Sequence, residues 1–405
     1  MTASPGETLA AQDLSAAGYP RTIWLLLGGS FLVRALGFAY PFLGFYVAAR
    51  GHGAGAAGVV LAAFGVGWVV GLPVSGWLVD RVGRRSTLAT TMLVAAMVLT
   101  LLAGAHGVPA LVVGAVLAGS VYDAPRAVLS TAIADLVPDP ERRAKVDAWR
   151  YGFVMNAGTA IAAAVGGVMA DRVGISVLYL LNAFACAVFS VIALTCVPHG
   201  VHHPAASANS PTRQLLSDRR LVLLFASSVA TLTAYMGLLA VMPMLMAACG
   251  LQASAYGWAL SANTLAVVAT TPLITPWLSG RVAARPRLDI LATAAVWTTV
   301  CIGAAGFART TVDFCVAAAL CAPGEIAWFA VAAGVVHQIA PTGLRGRYHG
   351  VWGTALAIAA VIAPIVGAYC LRHGGHALVA LTTLAVGMVG AALCLPLARV
   401  MPASG

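Results

Sequence analysis

Charge is what this sequence has least of. Only 9% of its 405 residues are charged, too few to coat a soluble protein of that length. Lysine is nearly missing, since 22 of the 23 basic residues are arginine. The arginines sit in short clusters between apolar runs, so the formal charge of +10 is an orientation signal in a membrane rather than a phosphate-binding face. No nucleic-acid partner is expected. No CxxC, Cys/His cluster or cysteine-rich loop occurs. The eight cysteines, at 186, 196, 249, 301, 315, 321, 370 and 394, lie almost all inside apolar runs and read as small packing residues, with neither metal nor disulfide expected. A G-x-x-x-x-G-K-S/T loop is absent, as is any soluble stretch able to hold a nucleotide domain, which excludes an ATPase. With no H-E-x-x-H, no paired catalytic carboxylates and no extramembrane domain, neither an enzyme nor a cofactor is expected. The first 20 residues lack the apolar core of a signal peptide, so no cleavage and a cytoplasmic N-terminus are expected.

What the chain has is hydrophobic length. At 60% hydrophobic residues it is an all-α integral membrane protein. Apolar runs bounded by Arg, Pro, Gly or Asp predict twelve spans, at about 22–47, 57–79, 86–105, 110–137, 149–170, 175–197, 221–247, 255–279, 288–307, 312–339, 349–371 and 377–398. The longest polar interval divides them into an N-terminal bundle (1–197), a central cytoplasmic loop (198–220) and a C-terminal bundle (221–405). With the N-terminus inside, the inner segments hold 17 basic residues, Arg150 among them, against four outside: Arg50, Arg172, Arg309 and Arg372. That bias predicts an even number of spans, both termini in the cytoplasm and residence in the cell inner membrane.

The two halves repeat one another. Gly76 to Arg85 reads G-W-L-V-D-R-V-G-R-R, and 200 residues later Pro276 to Arg285 reads P-W-L-S-G-R-V-A-A-R, with Trp, Leu, Arg, Val and Arg shared at five of ten positions. Gly167, Arg172 and Gly174 likewise find Gly367, Arg372 and Gly374. The decapeptide G-x-L-x-D-R-x-G-R-R between a second and third span resembles the signature loop of the major facilitator superfamily of secondary transporters. The resemblance extends to Ala134–Arg150 after span 4 and to Gly324-Glu325, Ala340-Pro341 and Arg345–Tyr348 in the second half. It implies two six-span halves in parallel repeat, alternating access, and a substrate site at the midplane between them. Gly76 and Gly83 are expected to make a tight inner turn. Asp80, among Arg81, Arg84 and Arg85, is expected to cap a helix N-terminus or pair across the inner gate. In the second copy Gly280 and Ala283 replace Asp80 and Gly83. The antiporter branch of the family usually carries G-P-x-x-G-G in span 5; here Ala162–Gly167 keeps the paired glycines and loses the Gly-Pro.

Four charges fall at mid-depth, where each is expensive: Arg34 in span 1, Asp123 and Arg126 in span 4, and Glu325 in span 10. Asp123 and Arg126, three apart, share a helix face and are expected to pair, either within a cavity or as a salt bridge that only fixes packing. Arg34 and Glu325 remain as a pair between the halves. By the resemblance, spans 1, 4, 7 and 10 line the cavity, which brings Tyr122, Tyr235, Trp328, Phe329 and Asn263 to it as substrate contacts, with Phe31, Phe38, Met236, Asn156 and Asn182 as further candidates. Glu325, and after it Asp123, is the expected proton site. The function implied is proton-coupled export of small amphipathic compounds, drugs included, by a monomer whose partners are substrate, protons and the bilayer. The alternatives are a proton-coupled uptake symporter of a small anionic metabolite, which Arg34 and Arg126 would suit, and a non-transporting receptor on the same fold.

Overall fold

Inside a bilayer the backbone has no water to bond, so an apolar run must satisfy its own amides and carbonyls by coiling into a helix. The computed structural model describes residues 19–401 except 138, 140, 141, 144, 147, 148, 198–216, 285, 342 and 343, and without the helical side chains at 80, 127, 131, 134, 135, 151–153, 279, 280, 283, 284, 345 and 346. The central loop therefore falls almost wholly outside the described residues, as does the side chain of Asp80. Among the described residues, nine helical stretches are long and apolar enough to cross a membrane. Interrupted helices and one kinked pair bring the spans to twelve.

Span 1 comprises Arg21–Ala35 and Leu43–Ala49; span 2, Ala54–Val82; span 3, Arg84–Ala103; span 4, Val108–Tyr122 and Ala124–Leu136. Span 5 begins with a π-helical turn, Trp149–Val154, and continues as Met155–Val173; span 6 is Ile175–Cys196. In the second half, span 7 runs Arg219–Tyr235, a π-helical turn Gly237–Val241, then Met242–Ala248. Span 8 is Ala253–Ala284, span 9 Leu288–Ala304 and span 10 Thr311–Ile339. Spans 11 and 12 form one continuous element, Arg345–Ala392, broken in direction by Gly375 at φ 59°, ψ −154°. Only a residue without Cβ adopts that backbone without strain.

Prolines explain the interruptions. Pro41 lies in the break of span 1, Pro125 opens the second piece of span 4, and Pro243 opens the last piece of span 7. Each lacks the N–H that would continue the ladder. The backbone freed in span 1 is re-satisfied from span 6, where the Tyr179 hydroxyl donates to the Ala39 carbonyl at 3.0 Å and Asn182 Oδ1 accepts from the Ala39 amide at 3.4 Å.

The loop expected at Gly76–Arg85 is almost entirely helical. Gly76 sits inside span 2 and turns nothing. Gly83 alone, at φ 83°, separates span 2 from span 3. The hydrophobic run stays unbroken through Gly76, and a positive φ is needed only where the chain reverses, so one glycine suffices.

With Tyr19 and Met401, the first and last described residues, at one face, the halves meet mainly at the opposite, far face. There span 2 packs on span 11 and span 5 on span 8. Both seams are built on glycine: a Cβ at Gly65 would come within 2.7 Å of the Ala360–Val361 backbone, and one at Gly167 within 2.8 Å of Ser254 Cα. Such close approach is how helices associate where no hydrophobic effect drives them together. Asp171, at the end of span 5, adds a polar tie. Its two carboxylate oxygens accept the amides of Ala253 and Ser254, the first residues of span 8, at 3.1 and 3.0 Å. Within each half an arginine binds the far ends. Arg50 donates to the Tyr46 hydroxyl, the Ala103 carbonyl and Ser176 Oγ at 2.8, 2.7 and 3.1 Å. Arg309 donates to the Ala308 carbonyl and meets His376 Nδ1, both at 2.8 Å.

Candidate functional site

Between the halves lies a cavity of about 280 Å³, lined from spans 1 to 8 and span 10. At its far end a wholly buried aromatic layer closes it: Phe38 and Phe42 of span 1 join Tyr256 of span 8, with the Phe42 and Tyr256 rings 5.6 Å apart and edge-on. Toward the face that carries the termini, the lining continues through Arg126, Leu129, Arg150 and Met155. Arg126 is 43% exposed there. With the packing between the halves concentrated at the far face, this accessible arginine marks the cavity as open toward the other side.

All four mid-depth charges foreseen in the sequence line this cavity, together with Tyr122, Tyr235, Asn156, Asn182 and Asn263. Their pairing is only partly as expected. Arg126 Nε lies 3.0 Å from Asp123 Oδ1, and Trp68 of span 2 donates its indole N–H to the other Asp123 oxygen at 3.4 Å. Asp123 occupies the break between the two pieces of span 4, with 6% of its side chain exposed. Its charge is thus balanced within its own helix.

Arg34 and Glu325 do not pair. Arg34 donates to the Tyr122 hydroxyl at 3.2 Å, its guanidinium 5.7 Å from that ring's centre. Among the described residues no carboxylate stands within ion-pair distance of it. Glu325 instead accepts the Tyr235 hydroxyl at 2.8 Å and the Asn263 amide at 3.3 Å, and Asn263 is fixed by a second bond to the Ala318 carbonyl at 3.0 Å. Neutral donors on spans 7 and 8 lie nearer than the arginine across the cavity, and they satisfy the carboxyl from within its own half.

Trp328 and Phe329 are displaced from the site expected for them. Trp328 is 2% exposed, stacks on Trp352 of span 11 at 6.3 Å, and belongs to the core of the second half. Phe329 meets Tyr235 edge-on at 5.6 Å from outside the lining. One turn beyond Glu325, span 10 packs against its own bundle. Phe31 is likewise outside the lining, whereas Phe38 forms part of the far closure.

Other lining residues escaped the sequence reading. Arg150, counted above with the inner segments, is 3% exposed in the π-helical turn that opens span 5, where it donates to Ser130 Oγ and to the Arg126 carbonyl, both at 3.0 Å. Tyr40 and Phe64 add aromatic wall beside Tyr122, with rings 6.4 and 5.2 Å from it. The signal that could have found Tyr40 is the neighbouring Pro41, since a proline in a span marks backbone exposed to a cavity. At the span 2–3 junction, Arg81 lies over the Trp77 ring at 5.2 Å.

Comparison with known proteins agrees with this architecture. No curated protein sequence matches the chain. Among solved structures, the peptide transporter POT in complex with sulfate is similar at 16% identity and a TM-score of 0.77, covering 99% of this chain and 98% of its own. The nucleoside transporter NupG is similar at 15% identity and 0.71, covering 95% and 100%. A POT family transporter in complex with 5-aminolevulinic acid is similar at 15% and 0.73, covering 96% and 98%. At such identities the likeness is one of fold. The sequence profile of the Major Facilitator Superfamily matches residues 23–246, just over half of the chain, and with a twelve-span fold enclosing a midplane cavity the chain belongs to the major facilitator superfamily.

Proposed function

We propose that this protein is a proton-coupled secondary transporter that exports small amphipathic compounds by alternating access, with Glu325 as its proton site. The observation that carries the reading is the contrast between the two cavity carboxyls. Asp123 is bound to a guanidinium on its own helix at 3.0 Å, and that partner follows it through every state. Among the described residues, Glu325 is bonded by a hydroxyl and an amide alone. A carboxyl held by neutral donors takes up and releases a proton without breaking an ion pair, which a coupling site must do once per cycle. The aromatic and aliphatic wall with few polar groups suits an amphipathic substrate.

In this reading residues 1–197 and 221–405 are the two rocking bundles and 198–220 the cytoplasmic link between them. The face bearing the termini is cytoplasmic, as the 17-to-4 bias in basic residues favours, and the protein works as a monomer in the inner membrane. Arg81, Asp80, Gly83, Arg84 and Arg85 act at the cytoplasmic gate when the opposite state closes it. The test is substrate-driven proton flux in proteoliposomes, screened with amphipathic acids and amines. Glu325→Gln should abolish uphill, pH-driven transport while substrate binding persists. Uphill transport by Glu325→Gln at rates near the parent would place the proton elsewhere and overturn the assignment.

A further inference from the structure

The cavity holds three guanidiniums, and the structure separates them. Arg126 is engaged by Asp123 at 3.0 Å. Arg150 is buried and donates to Ser130 and to a main-chain carbonyl. Arg34 differs from both. One of its five N–H groups is taken by the Tyr122 hydroxyl, and among the described residues no carboxylate lies within ion-pair distance. It also stands where an aromatic wall begins: Tyr122 under the guanidinium, then Phe64, Tyr40 and Trp68 packed around that ring.

A cation in mid-membrane with no carboxylate in contact is costly, even where Asp123, already bound to Arg126, acts on it from a distance, and the cost falls when a ligand brings an anion within reach. From the Arg34 geometry we infer that the substrates are monovalent amphipathic anions, with a carboxylate or similar planar head received by the Arg34 guanidinium and an apolar or aromatic body laid against Tyr122, Tyr40 and Phe64. The fork that Arg34 leaves open receives one planar anionic head. A second anionic group would be left facing Asp123 or Glu325. A volume of about 280 Å³ limits the body to about the size of one substituted ring, near the lower bound of ligand cavities. This inference rests on the transport reading above and identifies what that cavity selects.

The experiment measures binding to purified full-length protein at fixed pH with no gradient, so it is independent of the proton assignment. The probes are benzoate, phenylacetate and 4-phenylbutyrate, each against its own amide, with 4-phenylbutylamine and the dianion phenylsuccinate as charge controls, read by thermal shift and by tryptophan fluorescence. At least one acid should bind about ten- to a hundredfold tighter than its amide, as expected for a hydrogen-bonded charge pair. Arg34→Gln should erase that ratio, and Arg34→Lys should retain it in part with the fold intact. A panel in which no acid exceeds its amide, selectivity that survives Arg34→Gln, or tighter binding of the amine or the dianion would each overturn the inference. Because acid selectivity is read without a gradient, its loss in Arg34→Gln and the loss of uphill transport in Glu325→Gln report on the two readings separately.

Discussion

Replacing Asp171 by alanine should unlatch the far face. The carboxylate bridges the halves by accepting the first two amides of span 8 at 3.1 and 3.0 Å, and these bonds exist only while spans 5 and 8 touch. Losing a side-chain cap of this kind costs about 0.5–2 kcal/mol. Losing a carboxylate at a helix N-terminus adds about 0.3–1 kcal/mol. Together roughly 1–3 kcal/mol is removed from the far-closed state alone, which shifts the equilibrium toward far-open about 5- to 150-fold. Asp171→Asn keeps one acceptor and should give a smaller shift. Hydrogen–deuterium exchange is the direct assay, because opening exposes both seams at once. In Asp171→Ala, exchange should rise not only in residues 253–257 but also in the span 2 segment around Gly58 and Gly65 and in span 11 around Ala360, none of which Asp171 touches. A rise confined to the first turn of span 8 would mean that the cap is local and holds nothing else shut.

The seam between spans 2 and 11 permits the converse experiment. A Cβ at Gly65 would meet main-chain atoms at 2.7 Å, so Gly65→Leu should prevent far-face closure and cut transport at least tenfold with expression retained; near-normal turnover would show that the seam yields. Asp123→Asn removes the pair with Arg126, whose 43% exposure discounts the loss to about 1–2 kcal/mol. The variant should melt a few degrees lower and bind more weakly yet still couple to protons, and loss of coupling without loss of stability would make Asp123 the proton site. Cysteines placed at Ser207 and Gly53 should label from opposite sides of the membrane, with Ser207 cytoplasmic; the reverse pattern would refute the orientation drawn from the bias in basic residues.

Depth was legible in the sequence and direction was not. Hydropathy places Arg34, Asp123, Arg126 and Glu325 at mid-span because charge in an apolar run is conspicuous, and all four line the cavity. The Asp123–Arg126 contact follows because three residues on one helix fix a distance. The pairing of Arg34 with Glu325 fails because it requires a distance between two helices, which no spacing encodes; Tyr235 and Asn263, on two other spans, reach the carboxyl first. Trp328 and Phe329 fail for a related reason, since the side of span 10 that leaves the cavity is set by where span 11 offers Trp352. Nothing in the sequence marks Asp171, a polar residue at a helix end. Its role exists only once the start of span 8 is brought beside it. Gly76 was given a turn because glycine permits one, although nothing in an unbroken apolar run requires it.

The far-face arginines have a mechanical consequence. Arg50 joins the far ends of spans 1, 3 and 6, and Arg309 with His376 joins the stretch after span 9 to the start of span 12. Each clasp lies wholly within one half, so neither bundle can let a single helix swing outward at that face without abandoning several charged contacts together. Deformation is thereby channelled into the glycine seams between the bundles. A crosslink made inside either clasp should behave as a silent brace, whereas one of equal length stitched across a seam should act as a brake.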